Sequence, residues 1–154
     1  MHTNKRNFVS VFLFLIIYFF STDTIAAPKY SSFSLDAISG EILHNNRGFQ
    51  TRYPASLTKV MTLYLIFEDL EDGKIQKSDL VTFSRNASSM PASKLGLAPG
   101  ETITLSNAIK ALAIKSANDV ATAVAEHLSG TEESFATRMT NKARELGMYQ
   151  TSFR

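Results

Sequence analysis

The sequence has no cysteine and only three histidines among its 154 residues. The lack of cysteine excludes a disulfide scaffold, a thiolate metal site and a cysteine nucleophile, and three histidines leave few ways to build a zinc site. Lysine and arginine (16) nearly balance aspartate and glutamate (14), which argues against a nucleic-acid partner. The length suits one domain or part of one. Any catalysis must therefore use an oxygen or amine nucleophile.

The amino-terminal segment has the three parts of a secretory signal peptide. Two basic residues precede an uncharged apolar run, Phe8–Phe20, and the small residues Ala26 and Ala27 follow it. The alternative, a transmembrane anchor, needs roughly 20 apolar residues, more than this run provides. We therefore expect residues 1–26 to be a signal peptide cut after Ala26 or Ala27, and residues 27–154 to be exported to the periplasm or another extracytoplasmic space.

Hydrophobic periodicity predicts that the exported part opens with two strands. Alternation over Tyr30–Asp36, followed by Glu41–His44, predicts a β-hairpin. The segment Ser56–Glu71 is apolar on both faces, which is typical of a buried helix. A short strand at Leu80–Phe83 and a loop over Asn86–Gly100 are expected next.

Three further helices are predicted from capping residues and helical spacing. Thr104 is expected to cap a helix over Leu105–Ile114, a second helix covers Ala117–Ser129, and Thr131 is expected to cap a third that ends at Gly147. The chain is therefore of mixed α and β class. Since a two-stranded hairpin is not stable alone, the strand complement is expected to be incomplete.

Ser56 and Lys59 are the first candidate catalytic pair, a hydroxyl and an amine on one face of the first helical turn. The helix dipole favours an anion developing on Ser56, and partial burial would lower the pKa of Lys59 from about 10.4 and free some amine to accept a proton. Ser-Lys pairs are established nucleophile–base arrangements. The same residues also fit a serine N-cap followed by a lysine that extends to solvent.

Ser116 and Asn118 form a second candidate group at the break between two predicted helices. A hydroxyl and an amide there can point from the backbone into a cleft, although an ordinary helix–helix turn has the same composition. The pattern is common, since Ser84-Arg85-Asn86 also matches it in a predicted loop. The order Ser-x-x-Lys, then Ser-x-Asn, with apolar helices around both, is more specific than either motif alone.

The run Tyr53–Thr62 (YPASLTKVMT) resembles the active-site segment of the low-molecular-mass penicillin-binding proteins, the D-alanyl-D-alanine carboxypeptidases. Asp72-Gly73-Lys74, Ser116–Asp119 and Leu146–Phe153 are also similar to that family. The resemblance extends over about residues 30–154, nearly the whole exported part.

This resemblance implies an α+β fold of the serine β-lactamase type, with helices on both sides of an antiparallel sheet and the C-terminal strands missing from this chain. It implies Ser56 as the acylated nucleophile and Lys59 as its base. Ser116 would relay a proton to the leaving amine, and Asn118 would orient Lys59 and the substrate peptide. The Ser56 N–H would supply half of the oxyanion hole. The implied reaction removes the terminal D-alanine from peptidoglycan stem peptides, with β-lactams as covalent inhibitors.

The family's third motif, Lys-Thr-Gly, does not occur in the sequence, and Lys94-Leu95-Gly96 precedes Ser116 and is no substitute. In the family that strand binds the substrate carboxylate and adds the second oxyanion donor, and one such donor is worth about 10²–10³ in rate. We therefore expect the N-terminal part of a carboxypeptidase domain. Two alternatives remain: a catalytically inactive fragment that binds a peptide, the cell wall or a complementing C-terminal half, and an unrelated Ser-Lys protease or amidase. Carboxypeptidase and endopeptidase action both stay open.

No cofactor and no metal site are predicted. His44 is expected at the end of the hairpin and His127 near a helix C-terminus, where the dipole favours a cation. The pair Glu132-Glu133 fits the acidic preference of a helix start rather than a general-acid pair. The resemblance implies association with a membrane surface only through the family's C-terminal region.

Overall fold

The structure is a computed structural model that describes residues 30–154. The predicted signal peptide, residues 1–26, lies outside the described residues. The chain divides between Arg52 and Tyr53 into two compact units. Within the described part, no helix is both long and apolar enough to cross a membrane.

The first unit contains the predicted hairpin, formed by β1 (Ser32–Leu35) and β2 (Ile42–Asn46) in antiparallel register. The Asp36 carboxylate closes the turn by accepting the backbone N–H of Ser39 at 2.7 Å and of Ile38 at 3.0 Å. This side chain thus supplies the turn geometry that a short polar residue favours. The hairpin prediction is confirmed.

The second unit is mostly helical and contains two short strands. Its helices, strands and turns, in chain order, are a 3₁₀ turn (Ala55–Leu57), α1 (Thr58–Glu71), β3 (Leu80–Thr82), α2 (Arg85–Ser89), β4 (Thr102–Thr104), α3 (Leu105–Lys110), a π turn (Ala111–Lys115), α4 (Asn118–Ser129) and α5 (Glu132–Glu145). Strands β3 and β4 pair antiparallel. The predicted combination of helices and antiparallel strands is confirmed.

Capping side chains set the starts of three helices. Thr104 accepts the N–H of Asn107 at 3.3 Å before α3, and Thr131 accepts the N–H of Ser134 at 3.1 Å before α5, as predicted. Ser84 caps α2 in the same way, with 2.9 Å to the N–H of Ala87. The predicted loop over 86–100 is therefore wrong at its beginning, because a local cap suffices to start a short helix there.

Two hydrophobic clusters form the core of this unit, and α1 and α4 contribute to both. Ile66 of α1 and Val124 of α4 belong to the cluster that includes the β3 region and α3. Leu65 of α1 and Ala125 of α4 belong to the cluster that packs on α5. Neighbouring residues on each helix thus face different partners, which fixes both helices in place.

The expectation that α1 is buried all round is correct on one side only. Leu65 and Ile66 are fully buried, whereas Val60, Tyr64 and Phe67 are 62%, 43% and 51% exposed. Leu57, just before the helix, is also exposed. Apolar residues on both faces therefore mark a helix with two apolar surfaces, of which the second unit covers one.

Candidate active site

Ser56 lies in the 3₁₀ turn directly before α1, with an exposed side chain. Ala55 beside it has φ of +50°, a conformation that costs a non-glycine residue about 1–2 kcal/mol. Neither the 3₁₀ turn nor α1 has a side-chain cap, so the alternative of Ser56 as an N-cap is wrong. The hydroxyl is not used to hold the helix, and strain of this kind concentrates at functional sites.

Lys59 lies one helical turn after Ser56 and is half-buried. Its Nζ donates a hydrogen bond of 2.7 Å to Oδ1 of Asn118. Burial lowers the pKa of the Lys59 amine below its ordinary value of 10.5, because desolvation penalises the charged form. The amine is held by a side chain of α4 rather than extended into solvent. A lowered pKa increases the neutral fraction that can accept a proton.

Ser116 occupies the sharp bend between the π turn and α4. Its φ of 55° and ψ of 40° are left-handed, again uncommon for a residue with a side chain. Its Oγ is buried and has no hydrogen-bond partner among residues 30–154. π-helical turns are frequent at functional sites because they reorient the backbone locally. Here the bend places Ser116 among the residues that line the same cleft as Ser56.

Asn118 begins α4 and is held on three sides. Its backbone N–H donates to Ser93 O at 2.7 Å, and its Nδ2 donates to Pro91 O at 3.0 Å. Because Pro91 takes the amide nitrogen, the amide oxygen faces Lys59. A reversed amide would place its donors against the Lys59 ammonium, so the loop carbonyl decides which way the side chain points.

Ser56, Lys59 and Ser116 meet at one open cleft of about 370 Å³. Its lining combines these three polar side chains with apolar residues of α1 and the π turn: Pro54, Ala55, Ser56, Leu57, Lys59, Val60, Leu63, Leu112, Ala113 and Ser116. Asn118 does not line the cleft and acts on it through Lys59. The structure thus brings all four predicted residues together, three at the cleft and one behind it.

The cleft brings together hydroxyl and amine side chains, the groups that a serine nucleophile and its base require. Among residues 30–154, no three histidine, aspartate or glutamate side chains converge closely enough to hold a metal ion. His44 lies in β2 and shares a 2.7 Å hydrogen bond with Ser32, in the hairpin unit rather than at the cleft. Glu132 lies in the first turn of α5, where it accepts a hydrogen bond from Thr122.

Sequence reasoning missed the support that the loop over residues 91–96 gives to the site. Pro91 and Ser93 contact Asn118 through backbone carbonyls, which leave no trace in side-chain chemistry. The acidic residue next to Asn118, Asp119, was a visible signal, because a charged residue amid the apolar residues of α4 needs polar partners if it is buried.

Comparison with known proteins identifies the family. The family model for D-alanyl-D-alanine carboxypeptidase matches residues 20–154. This chain belongs to the D-alanyl-D-alanine carboxypeptidase family. The predicted resemblance is therefore confirmed, and the matched range contains both motifs.

Two curated members of the D-alanyl-D-alanine carboxypeptidase family show how much of a relative this chain spans. It is 42% identical over 133 residues to DacF of Bacillus subtilis, covering 86% of this chain and 34% of that protein. It is 33% identical over 152 residues to DacC of Escherichia coli, covering 93% of this chain and 38% of that protein. The chain thus spans little more than a third of each relative's length.

Solved structures of the family share the fold. Penicillin-binding protein 5 from Haemophilus influenzae is similar with a TM-score of 0.76 and 32% identity, over 80% of this chain and 37% of that chain. Penicillin-binding protein D2 from Listeria monocytogenes, in its ampicillin-bound form, is similar with a TM-score of 0.71 and 26% identity, over 80% of this chain and 49% of that chain. These similarities confirm the predicted penicillin-binding-protein type of fold.

Proposed function

We propose that this chain carries the acylation machinery of a serine D-Ala-D-Ala carboxypeptidase that trims peptidoglycan stem peptides outside the cytoplasmic membrane. The observation that carries the proposal is the 2.7 Å hydrogen bond from Lys59 to Asn118. It joins the Ser-x-x-Lys and Ser-x-Asn motifs behind a cleft that Ser56 and Ser116 both line.

In the proposed acylation step, Ser56 Oγ attacks the carbonyl carbon of the penultimate D-alanine, and the hydroxyl proton passes to Lys59. The tetrahedral oxyanion is stabilised by the Ser56 N–H, in the turn directly before α1. The C–N bond to the terminal D-alanine then breaks, and Ser116 gives its proton to the leaving amine and regains one from Lys59, which had taken it from Ser56. Water hydrolyses the resulting ester, releasing the shortened stem and restoring the Ser56 hydroxyl.

Two features of the site support these roles. The lowered pKa of Lys59 makes the amine a better proton acceptor near neutral pH than a free lysine. Ser116 is among the residues that line the cleft, and its Oγ has no hydrogen-bond partner in the described part of the chain, so no bond within that part has to break before the hydroxyl takes part in proton transfer. Asn118 fixes the position of the Lys59 amine relative to the nucleophile, which is the positioning that proton transfer requires.

The substrate and the place of action are supported by relatives and by sequence. The relatives are D-alanyl-D-alanine carboxypeptidases by name, and one solved relative has bound ampicillin. The apolar run Phe8–Phe20 with its flanking residues is typical of an export signal. Together these support β-lactam inhibition and action in the cell-wall space.

The direct test is labelling of the full chain with a fluorescent penicillin, followed by mass spectrometry of the labelled peptide. We expect a stoichiometric ester on Ser56, no labelling of Ser56→Ala, and full labelling of Ser152→Ala, which removes an exposed serine far along the chain. Release of D-alanine from a D-Ala-D-Ala peptide tests turnover in parallel. Folded protein that takes no label would refute acylation by this chain, while its family membership would stand.

A further inference from the structure

Asp119 is a fully buried carboxylate next to Asn118, and the proposed reaction does not use it. It accepts three backbone N–H groups: Leu95 at 3.0 Å, Gly96 at 2.8 Å and Val120 at 2.9 Å. Within residues 30–154 it has no ion-pair partner. A buried charge without a counterion requires strong compensation, which these donors and the α4 N-terminus provide.

Two of the three donors belong to the loop over residues 91–96, which also contacts Asn118. The same loop accepts the backbone N–H of Asn118 through Ser93 O and the Asn118 side chain through Pro91 O. The Ser93 hydroxyl adds a bond of 2.9 Å to Lys115 O. The loop is therefore fastened at one end by Asp119, and its other end fixes the orientation of the Asn118 amide.

The contacts form a continuous path from Asp119 to the base. Asp119 holds Leu95 and Gly96, the loop places the Pro91 carbonyl, and that carbonyl takes the Asn118 Nδ2. Asn118 Oδ1 is then left to accept the Lys59 amine. The loop backbone links Gly96 to Pro91, and every other step is a hydrogen bond of 3.0 Å or less. Most of the loop is solvent-exposed.

We infer that Asp119 is a positioning residue that, through the loop over residues 91–96, sets the orientation of Asn118 and so the placement of Lys59. The inference rests on the proposed function, since it assigns Lys59 as the base. The carboxylate is required because its two oxygens accept three N–H groups. An asparagine there has one acceptor oxygen and turns an NH₂ group toward a backbone donor.

The test compares Asp119→Asn with Asp69→Asn in the full chain. Both variants remove a buried carboxylate of the second unit, but the Asp69 side chain bonds Arg138 of α5 and has no hydrogen bond to the loop among the described residues. The first measurement is hydrogen exchange of the Asn118 side-chain amide on ¹⁵N-asparagine-labelled protein. We expect roughly tenfold faster exchange in Asp119→Asn and no change in Asp69→Asn, measured at matched folded fractions.

The second measurement is the rate constant for acylation by fluorescent penicillin per folded molecule, separated from the initial binding constant. A misplaced base slows the chemical step, so we expect about a 10- to 100-fold lower acylation rate for Asp119→Asn with little change in initial binding. Asp69→Asn should acylate at the wild-type rate per folded molecule. Unchanged acylation in a variant with fast Asn118 exchange would overturn the positioning role.

A second variant covers the case in which Asp119→Asn does not fold. Ser93→Ala cuts the bond to Lys115 at an exposed position of the same loop, and it should change Asn118 exchange and acylation in the same direction by less. Exchange is measured on unreacted protein, so a wild-type chain that fails to acylate refutes the proposed function alone. If neither Asp119→Asn nor Ser93→Ala alters the exchange of the Asn118 side-chain amide, the role of Asp119 is overturned whether or not the wild-type chain acylates.

Discussion

The ion pair between Asp69 and Arg138 joins α1 to α5, and its removal gives a sharp test of what holds the second unit together. Nη1 and Nη2 of Arg138 donate to the two carboxylate oxygens of Asp69 at 2.7 and 2.6 Å, and Lys74 Nζ lies 3.7 Å from Asp69 Oδ1. The Asp69 side chain is 4% exposed and that of Arg138 is 29% exposed. Asp69→Asn keeps the shape of the side chain but removes its charge and one of the two acceptor oxygens that face Arg138.

The expected loss of stability follows from burial. Removing one partner of a buried pair costs about 3–5 kcal/mol when the other is left without compensation. Arg138 keeps partial contact with water and Lys74 loses only a weak attraction, so we expect Asp69→Asn to lower the free energy of unfolding by about 2–3 kcal/mol. For a unit of this size that corresponds to a drop of roughly 8–24 °C in Tm.

Thermal unfolding followed by circular dichroism measures this loss, with urea unfolding as a second reading of the free energy. A buried pair is screened little by salt, so the difference between wild type and Asp69→Asn should persist at high ionic strength. Lys142→Gln is the matched control, because Lys142 bonds Glu68 at 2.7 Å across the same two helices, and that carboxylate is 29% exposed whereas Asp69 is 4% exposed. A Tm for Asp69→Asn equal to that of Lys142→Gln would refute the reasoning.

Three further predictions concern the base, a helix cap and the core. Because burial lowers the pKa of Lys59, its neutral form appears at lower pH than that of free lysine. The acylation rate should therefore rise with pH with a midpoint below 10.5, and a midpoint at or above that value contradicts Lys59 as the base. Thr131→Ala should lower the free energy of unfolding, measured in urea, by about 1 kcal/mol because it removes the cap of α5. Thr137→Ala, inside the same helix, should change it by less than about 0.5 kcal/mol, and equal effects would count against the cap. Leu65→Ala should lower the free energy of unfolding by about 2–5 kcal/mol in the same assay, because the side chain is fully buried. Leu80 is 58% exposed, so a loss for Leu65→Ala no larger than that for Leu80→Ala would contradict the assigned core.

Local chemistry made several features predictable from sequence. The caps Thr104 and Thr131 and the Asp36 turn act within three residues, so their signals are contained in short stretches of sequence. The pairing of Ser56 with Lys59 is local in the same sense, since both belong to one helical turn. The short strand β4 was missed because its three residues run directly into the helix that Thr104 caps, and only their pairing with β3 makes them a strand.

Which apolar face of α1 is covered was not decided by its own sequence, because Leu65 and Phe67 are both strongly apolar, and only packing against α4 and α5 buries Leu65 and leaves Phe67 51% exposed. The same holds for the strained bend at Ser116, whose left-handed backbone is held by contacts on both sides. Residues of this kind have no intrinsic preference for the conformation they adopt.

The absence of cysteine, the scarcity of histidine and the two ordered motifs indicated Ser-Lys chemistry from the sequence alone, and the resemblance carried by Tyr53–Thr62 indicated the family. The sequence could not show that Lys59 meets Asn118, 59 residues further along, nor that a loop carbonyl turns the Asn118 amide toward it. Those contacts depend on how α1, α4 and the loop pack in space, since a hydrogen bond between distant residues forms only when the core has already fixed both ends.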